Sequence, residues 1–335
     1  MEPTHTNHDN DDNAAQNVED APEVIKRPLF HCWKDEICNC DNPRTESSVK
    51  TYCYSLKWAA ARMDGFTETE CPGADDVIGY MDEHNIPNKR RQAVYTAMKV
   101  IHNTRGNADE SKRYAAPLLQ AKHAIKQDYH KQQRTEKQKA NWIEYGELKT
   151  HAKALKDEVL KYDKHSLWDK EMYSKAVLCF VLHFHLKFPI RRDLCTVTYG
   201  VDNPNGNVLI EKDRKILFRD HKVKRHTPTF EFQMDRVQWR LLQLVRKQHA
   251  MRKITDGRIF LNRYWRGMSR NGFTTWLRRE MGKLEGMKGR KIGCLAIRNS
   301  VITHIRRNDS KYEARKEFAR RCMHSCAQNE DYRVH

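Results

Sequence analysis

The sequence predicts a mainly α protein in two modules: an all-helical one, then an α+β one that holds a small antiparallel sheet. Three observations predict it. Apolar residues recur at helical spacing from Ser47 to about residue 131. A fresh helix start at Thr135 separates that stretch from the second module. Residues 207–234 then turn into short β-prone runs bounded by turn residues, set between two helical blocks. A chain of 335 residues is long enough for two such cores.

Residues 1–28 are polar, acidic and Asn-rich, and read as a disordered tail. Within residues 1–24 stand Glu2, Asp9, Asp11, Asp12, Glu19, Asp20 and Glu23, with no Lys or Arg. Residues 29–46 read as a linker with a cysteine cluster. His31, Cys32, Cys38 and Cys40 have zinc-ligand chemistry. Cys38 and Cys40 are only two apart, however, and no paired spacing recurs, so the reading is packed cysteines without a metal. Ten cysteines scattered over 335 residues do not make a disulfide scaffold, and a reducing, intracellular compartment is expected.

The first module spans residues 47–131. Val49, Cys53, Leu56, Ala60 and Met63 form the apolar face of its first helix. A second helix opens at Asp75–Asp76 and carries Val77, Ile78, Tyr80 and Met81. Asn88 is the expected N-cap of a third, with Val94, Met98 and Ile101 inward. Lys89, Arg90 and Arg91 occupy its first turn, where the helix dipole disfavours cations. Either that turn is simply solvated or an anion such as a phosphate backbone meets it. A fourth helix is expected over Ser111–Lys131.

The second module spans residues 132–335. Thr135 and Gln138 have capping-box spacing. Trp142, Ile143, Leu148, Leu155 and Val159 mark its opening helices. A strongly apolar helix follows, with Val177, Phe180, Val181 and Phe184, and Pro189 stops it. Strands are expected at 208–210, 215–218 and 229–232, after turn chemistry at Asn203-Pro-Asn-Gly206. Helices resume at Asp235.

The formal charge is +18 and the pI about 9.4. Without its acidic tail the body carries about +25, which favours a polyanionic partner. No apolar run approaches the roughly 18 residues of a membrane span, and the acidic, polar N-terminus is not expected to act as a secretory signal. No GxGxxG or phosphate loop is present.

The chemistry-bearing residues follow one another in a set order. Phe-Pro-Ile-Arg191-Arg192-Asp193 ends the apolar helix, and Asp220-His221-Lys222-Val-Lys224 follows in the sheet region. Leu295-Ala-Ile-Arg298-Asn299-Ser300-Val-Ile-Thr303 lies downstream. Met323-His324-Ser325 comes near the end, with Tyr332 eight residues after the histidine. A phenol can hold a phosphodiester covalently, guanidinium forks match phosphoryl oxygens, and a lysine or histidine can move the proton. In these motifs the chain resembles the tyrosine recombinases, or phage-type integrases, over about residues 47–335. It looks closest to divergent members from eukaryotic mobile elements and large DNA viruses.

The resemblance implies a helical core-binding domain and a DNA breaking-rejoining catalytic domain. It implies that Tyr332 attacks phosphorus to give a 3′-phosphotyrosyl intermediate, between Arg191 and Arg298. His324 would bond a non-bridging oxygen and Lys222 would protonate the 5′ oxygen, with Asp193 fixing Arg191. Arg192 competes with Arg191 for its role, and Lys224 with Lys222. Lys89, Arg90, Arg91 and Lys224 are the expected DNA-binding residues. The partner implied is double-stranded DNA, gripped by a homo-tetramer on two sites, with no cofactor, metal or ATP. The place implied is the nucleus, or viral or mobile-element DNA in a host cell. The family often has histidine three residues before the second arginine, where this chain has Leu295. The base role then falls to His221, His304 or water, or activity is lowered. A type IB topoisomerase and a catalytically inactive DNA-binding relic are the rival readings.

Overall fold

The computed structural model describes residues 27–39, 44–67, 70–131, 133–162, 164–200, 203–221, 229–308 and 311–323. The chain divides into two compact units, residues 1–131 and 132–335.

Among its described residues the first unit has helices alone: α1 Arg27–Cys38, α2 Glu46–Ala60, α3 Ala74–Glu83, α4 Asn88–Thr104, α5 Ala108–Arg113 and α6 Ala115–His130. Thr45 caps α2 by accepting from the Ser48 amide at 3.3 Å. Val49, Cys53, Leu56 and Ala59 then face a core shared with Val77 and Met81 of α3 and Val94, Met98 and Ile101 of α4.

Three expectations are corrected here. The stretch expected as a linker is largely helix: α1 buries Trp33 and Ile37 in this core. Burying side chains of that size is worth roughly 2–3 kcal/mol each, which outweighs a polar local composition. Cys40 and the side chain of His31 lie outside the described residues, as does the tail up to residue 26. The cap of α4 is Pro87, whose carbonyl accepts from the Arg90 and Arg91 amides at 2.8 and 3.0 Å; Asn88 is already helical. The expected fourth helix is two, broken at Tyr114, whose ring is fully buried against Tyr95 and His102.

The second unit contains α7 Glu136–Ala140, α8 Tyr145–Lys161 and α9 Lys170–Lys187. A 3-10 turn Arg192–Thr196 leads into strands β1 Thr198–Tyr199, β2 Val208–Ile210, β3 Lys215–Phe218 and β4 Phe230–Gln233. Helices α10 Arg236–Met251, α11 Arg270–Met281, α12 Cys294–Asn308 and α13 Tyr312–Arg321 follow. The Thr135–Gln138 capping box is formed in both directions, and a second one joins Asp235 to Gln238 at the start of α10. The strands lie in chain order. β2–β3 and β3–β4 are antiparallel, but β1 joins β2 in parallel, so the sheet is mixed rather than purely antiparallel.

Helix α9 is the spine of this unit. Val177, Phe180, Val181 and Phe184 are fully buried, and its other faces are largely covered too. Phe184 and Phe188 meet Phe232 of the sheet at 6.1 and 4.8 Å between ring centroids. That packing fixes the end of α9 against the strands and so sets where the following arginines emerge.

Candidate active site

The turn after α9 carries the first group of residues. Arg192 donates Nη1 to Asn271 Oδ1 at 2.6 Å, which ties it to α11. Asp193 is buried, 8% exposed. Burial pushes its carboxyl above the ordinary range, while the charges of Arg270, Arg191 and His221 pull it back. Arg270, on the first turn of α11, places Nη2 3.6 Å from Asp193 Oδ1 and 3.0 Å from Asp220 Oδ2. One guanidinium thus spans the turn after Arg191 and the end of the β3 strand.

Asn207 makes the same connection from below. Its side-chain amide donates to Asp193 O (3.3 Å), Thr196 Oγ1 (2.7 Å) and Asp220 O (3.1 Å). Its Oδ1 accepts from the amides of Arg219 and Asp220, both at 2.9 Å. The side chain is 1% exposed, so its polar atoms are satisfied by protein rather than water. His221 follows, buried edge-on against Phe230 at 5.0 Å.

The second group sits on α12. Arg298 is 1% exposed and donates Nη2 to Cys322 O at 2.6 Å. Beside it on α9, His185 bonds Val181 O through Nδ1 at 2.8 Å. Burial first, with the Arg298 charge adding to it, pushes His185 down to about 4, so it is neutral at pH 7. Asn299, Ser300 and Thr303 are buried on the same helix. The start of α12 lies by the 3-10 turn: the Cys294 thiol, pushed up to about 12 by burial, feels Cys195, Arg192 and Asp193.

Leu295 is 62% exposed at the start of α12. His304 is nine residues further along, about 13 Å by helical rise, and its ring stacks on Tyr145 at 3.9 Å. His304 is therefore not at Leu295's end of the helix. His221 is beside Asp193. Lys222, Lys224, His324 and Tyr332 lie outside the described residues. Sequence reading missed Asn207, Arg270 and His185. The only signal for Asn207 was its place after the Asn-Pro-Asn-Gly turn, and nothing local marked the other two.

In the helical unit Lys89 is exposed, and Arg90 lies against Trp58 at 5.0 Å. Arg91 is bound to its own chain, donating to Ile86 O at 2.6 Å and Met81 O at 2.7 Å and pairing with Asp82. Its fork holds the α3–α4 loop. Among the described residues no three His, Cys, Asp or Glu side chains group as metal ligands. None of the helices searched is long and apolar enough to cross a membrane.

No family model and no curated protein matches the chain. Solved structures do. An integrase of the Tn1549 transposon in complex with a circular intermediate DNA aligns at TM-score 0.55 and 13% identity, over 92% of this chain and 95% of that one. A second complex of the same integrase with circular intermediate DNA aligns at 0.52 and 12%, over the same shares. The fold, helical unit and mixed-sheet unit together, is that of the tyrosine recombinases.

Proposed function

We propose that this chain is a DNA strand-transfer enzyme, a recombinase or integrase that cuts and rejoins duplex DNA through Tyr332. In this reading the Tyr332 phenol displaces the 5′ oxygen and forms a 3′-phosphotyrosyl bond. Arg191 and Arg298 neutralise the phosphoryl oxygens, His324 bonds one of them, and Lys222 delivers the proton to the leaving alkoxide. The phosphodiester energy is conserved in the covalent bond, so the cycle runs without ATP or metal. The assembly is a homo-tetramer on two DNA sites, and the place of action is the nucleus, or viral or mobile-element DNA inside a host cell.

The observation that carries this reading is Arg298. A guanidinium 1% exposed is expensive to bury, yet α12 holds it beside a neutral His185 and against Cys322 O, two residues before His324. The +18 charge, the tyrosine recombinase fold and the DNA held by the Tn1549 integrase support the same conclusion.

Exposed Leu295, where the family often has histidine, favours a second reading: a DNA-binding protein that has lost cleavage. A general base is worth about a hundred- to ten-thousandfold, so its absence slows cleavage rather than removing the machinery. A suicide duplex, nicked beside the cleavage site so that the cut fragment diffuses away, separates the two. A denaturation-resistant protein–DNA adduct supports strand transfer. Tight binding with no adduct on any genomic fragment supports the relic.

A further inference from the structure

In the helical unit two guanidinium groups share one indole. Arg62 Cζ lies 4.6 Å and Arg90 Cζ 5.0 Å from the Trp58 ring centroid. Trp58 is near the end of α2, Arg62 just past it, and Arg90 in the first turn of α4. Arg62 Nη1 also donates to Trp58 O at 3.3 Å. Arg91, Arg105 and Arg113 in the same unit each meet a carboxylate: Asp82, Glu36, and Asp75 with Glu110. Among the described residues, Arg62 and Arg90 meet none within ion-pair distance.

This arrangement is costly without an anion. A cation on an exposed aromatic face is attracted only weakly, and two unit charges several ångströms apart repel by an amount of the same order. Burial and the charge of Arg62 together hold Arg90 below the ordinary arginine range. The first turn of α4 has no acidic residue and no side-chain cap, so the helix dipole adds to the repulsion. Long side chains free in water would spread apart. An anion between them converts the repulsion into two attractions.

We propose that Trp58, Arg62 and Arg90 form a clamp for one backbone phosphate of duplex DNA, with the indole holding both forks around that phosphate. The assignment rests on reading the chain as a DNA-binding enzyme. A DNA phosphate fits better than a free anion because exposed Lys89 stands next to Arg90 and the body of the chain is strongly basic.

The test is the salt dependence of duplex binding by the full chain, between about 50 and 200 mM salt, where the slope reports roughly 0.9 per phosphate neutralised. Arg62→Gln, Arg90→Gln, the double variant and Lys112→Gln as control are compared with the unaltered protein, and circular dichroism confirms folding. One shared phosphate predicts a slope shallower by about 0.9 in the double variant, with either single variant giving most of that loss and the control none. An unchanged slope in the folded double variant overturns the clamp, and a loss twice as large overturns the shared phosphate. If inorganic phosphate alone quenches Trp58 emission, judged against Trp58→Phe, the site is for a free anion and the DNA assignment falls. If the unaltered protein binds no duplex, the DNA reading itself is wrong.

Discussion

Arg298 and Cys322 are 24 residues apart, yet the Arg298 guanidinium donates to the Cys322 carbonyl at 2.6 Å with both side chains buried. The bond ties α12 to the C-terminal end of α13, the point from which the chain continues to His324 and Tyr332. The Arg298 side chain thus anchors α13, and in the proposed strand transfer the same guanidinium offers its charge to the phosphoryl group.

For Arg298→Ala we predict loss of adduct formation by about a hundredfold or more, with duplex affinity reduced less than about threefold. One cation among many contributes little to the footprint. Suicide-substrate cleavage and binding, measured side by side, check this. Equal losses in both would remove Arg298 from the chemistry.

Asn207→Ala should destabilise the second unit by about 2–4 kcal/mol, since several buried polar groups lose their partner. The melting temperature should fall by roughly 5–15 °C. Calorimetry on the full chain reads it, and a shift under about 2 °C would contradict the bridging role of Asn207.

Acid should weaken the second unit. Burial pushes His185 and His249 down to about 4 each, while an unfolded histidine takes up its proton near 6.5. Between those values the unfolded state binds more protons, so stability is full above about 6.5 and falls as pH drops towards 4. The loss by pH 5 is about 2 kcal/mol per histidine. Thermal unfolding followed from about pH 7.5, roughly one unit above that window, down to about pH 5, near its middle, should show it, with a smaller slope in His249→Gln.

Arg91→Ala should act on stability rather than on DNA. Loss of its bonds to Met81 O, Ile86 O and Asp82 should cost about 1–3 kcal/mol, seen as faster hydrogen exchange over residues 81–91. The salt slope of duplex binding should stay as it was. A shallower slope would place Arg91 among the DNA contacts.

Local patterns were legible where the physics is local. Val208–Ile210 and Lys215–Phe218 fall where the strand signals put them, and the third strand is displaced by one residue. The capping box at Thr135 is decided by residues three apart, so it can be read directly. β1 was invisible because two residues carry no periodicity. α1 was missed because its reasons, Trp33 and Ile37 in a distant core, are tertiary. So is the break at Tyr114, which follows from burial between Tyr95 and His102 rather than from a breaker residue.

The site divides in the same way. Arg191 and Arg298 stand out because short motifs surround them. Their supports do not: Arg270 reaches Asp193 across 77 positions, and Asn207 meets three segments at once. Such residues look like ordinary surface or turn residues until the fold gathers them.

The most direct measurement is mass spectrometry of the peptide that stays attached to DNA after trapping on a suicide duplex and proteolysis. The account predicts a nucleotide linked through phosphate to Tyr332, and no adduct in Tyr332→Phe despite normal binding. Attachment at any other residue, or an adduct of equal yield in Tyr332→Phe, would contradict it.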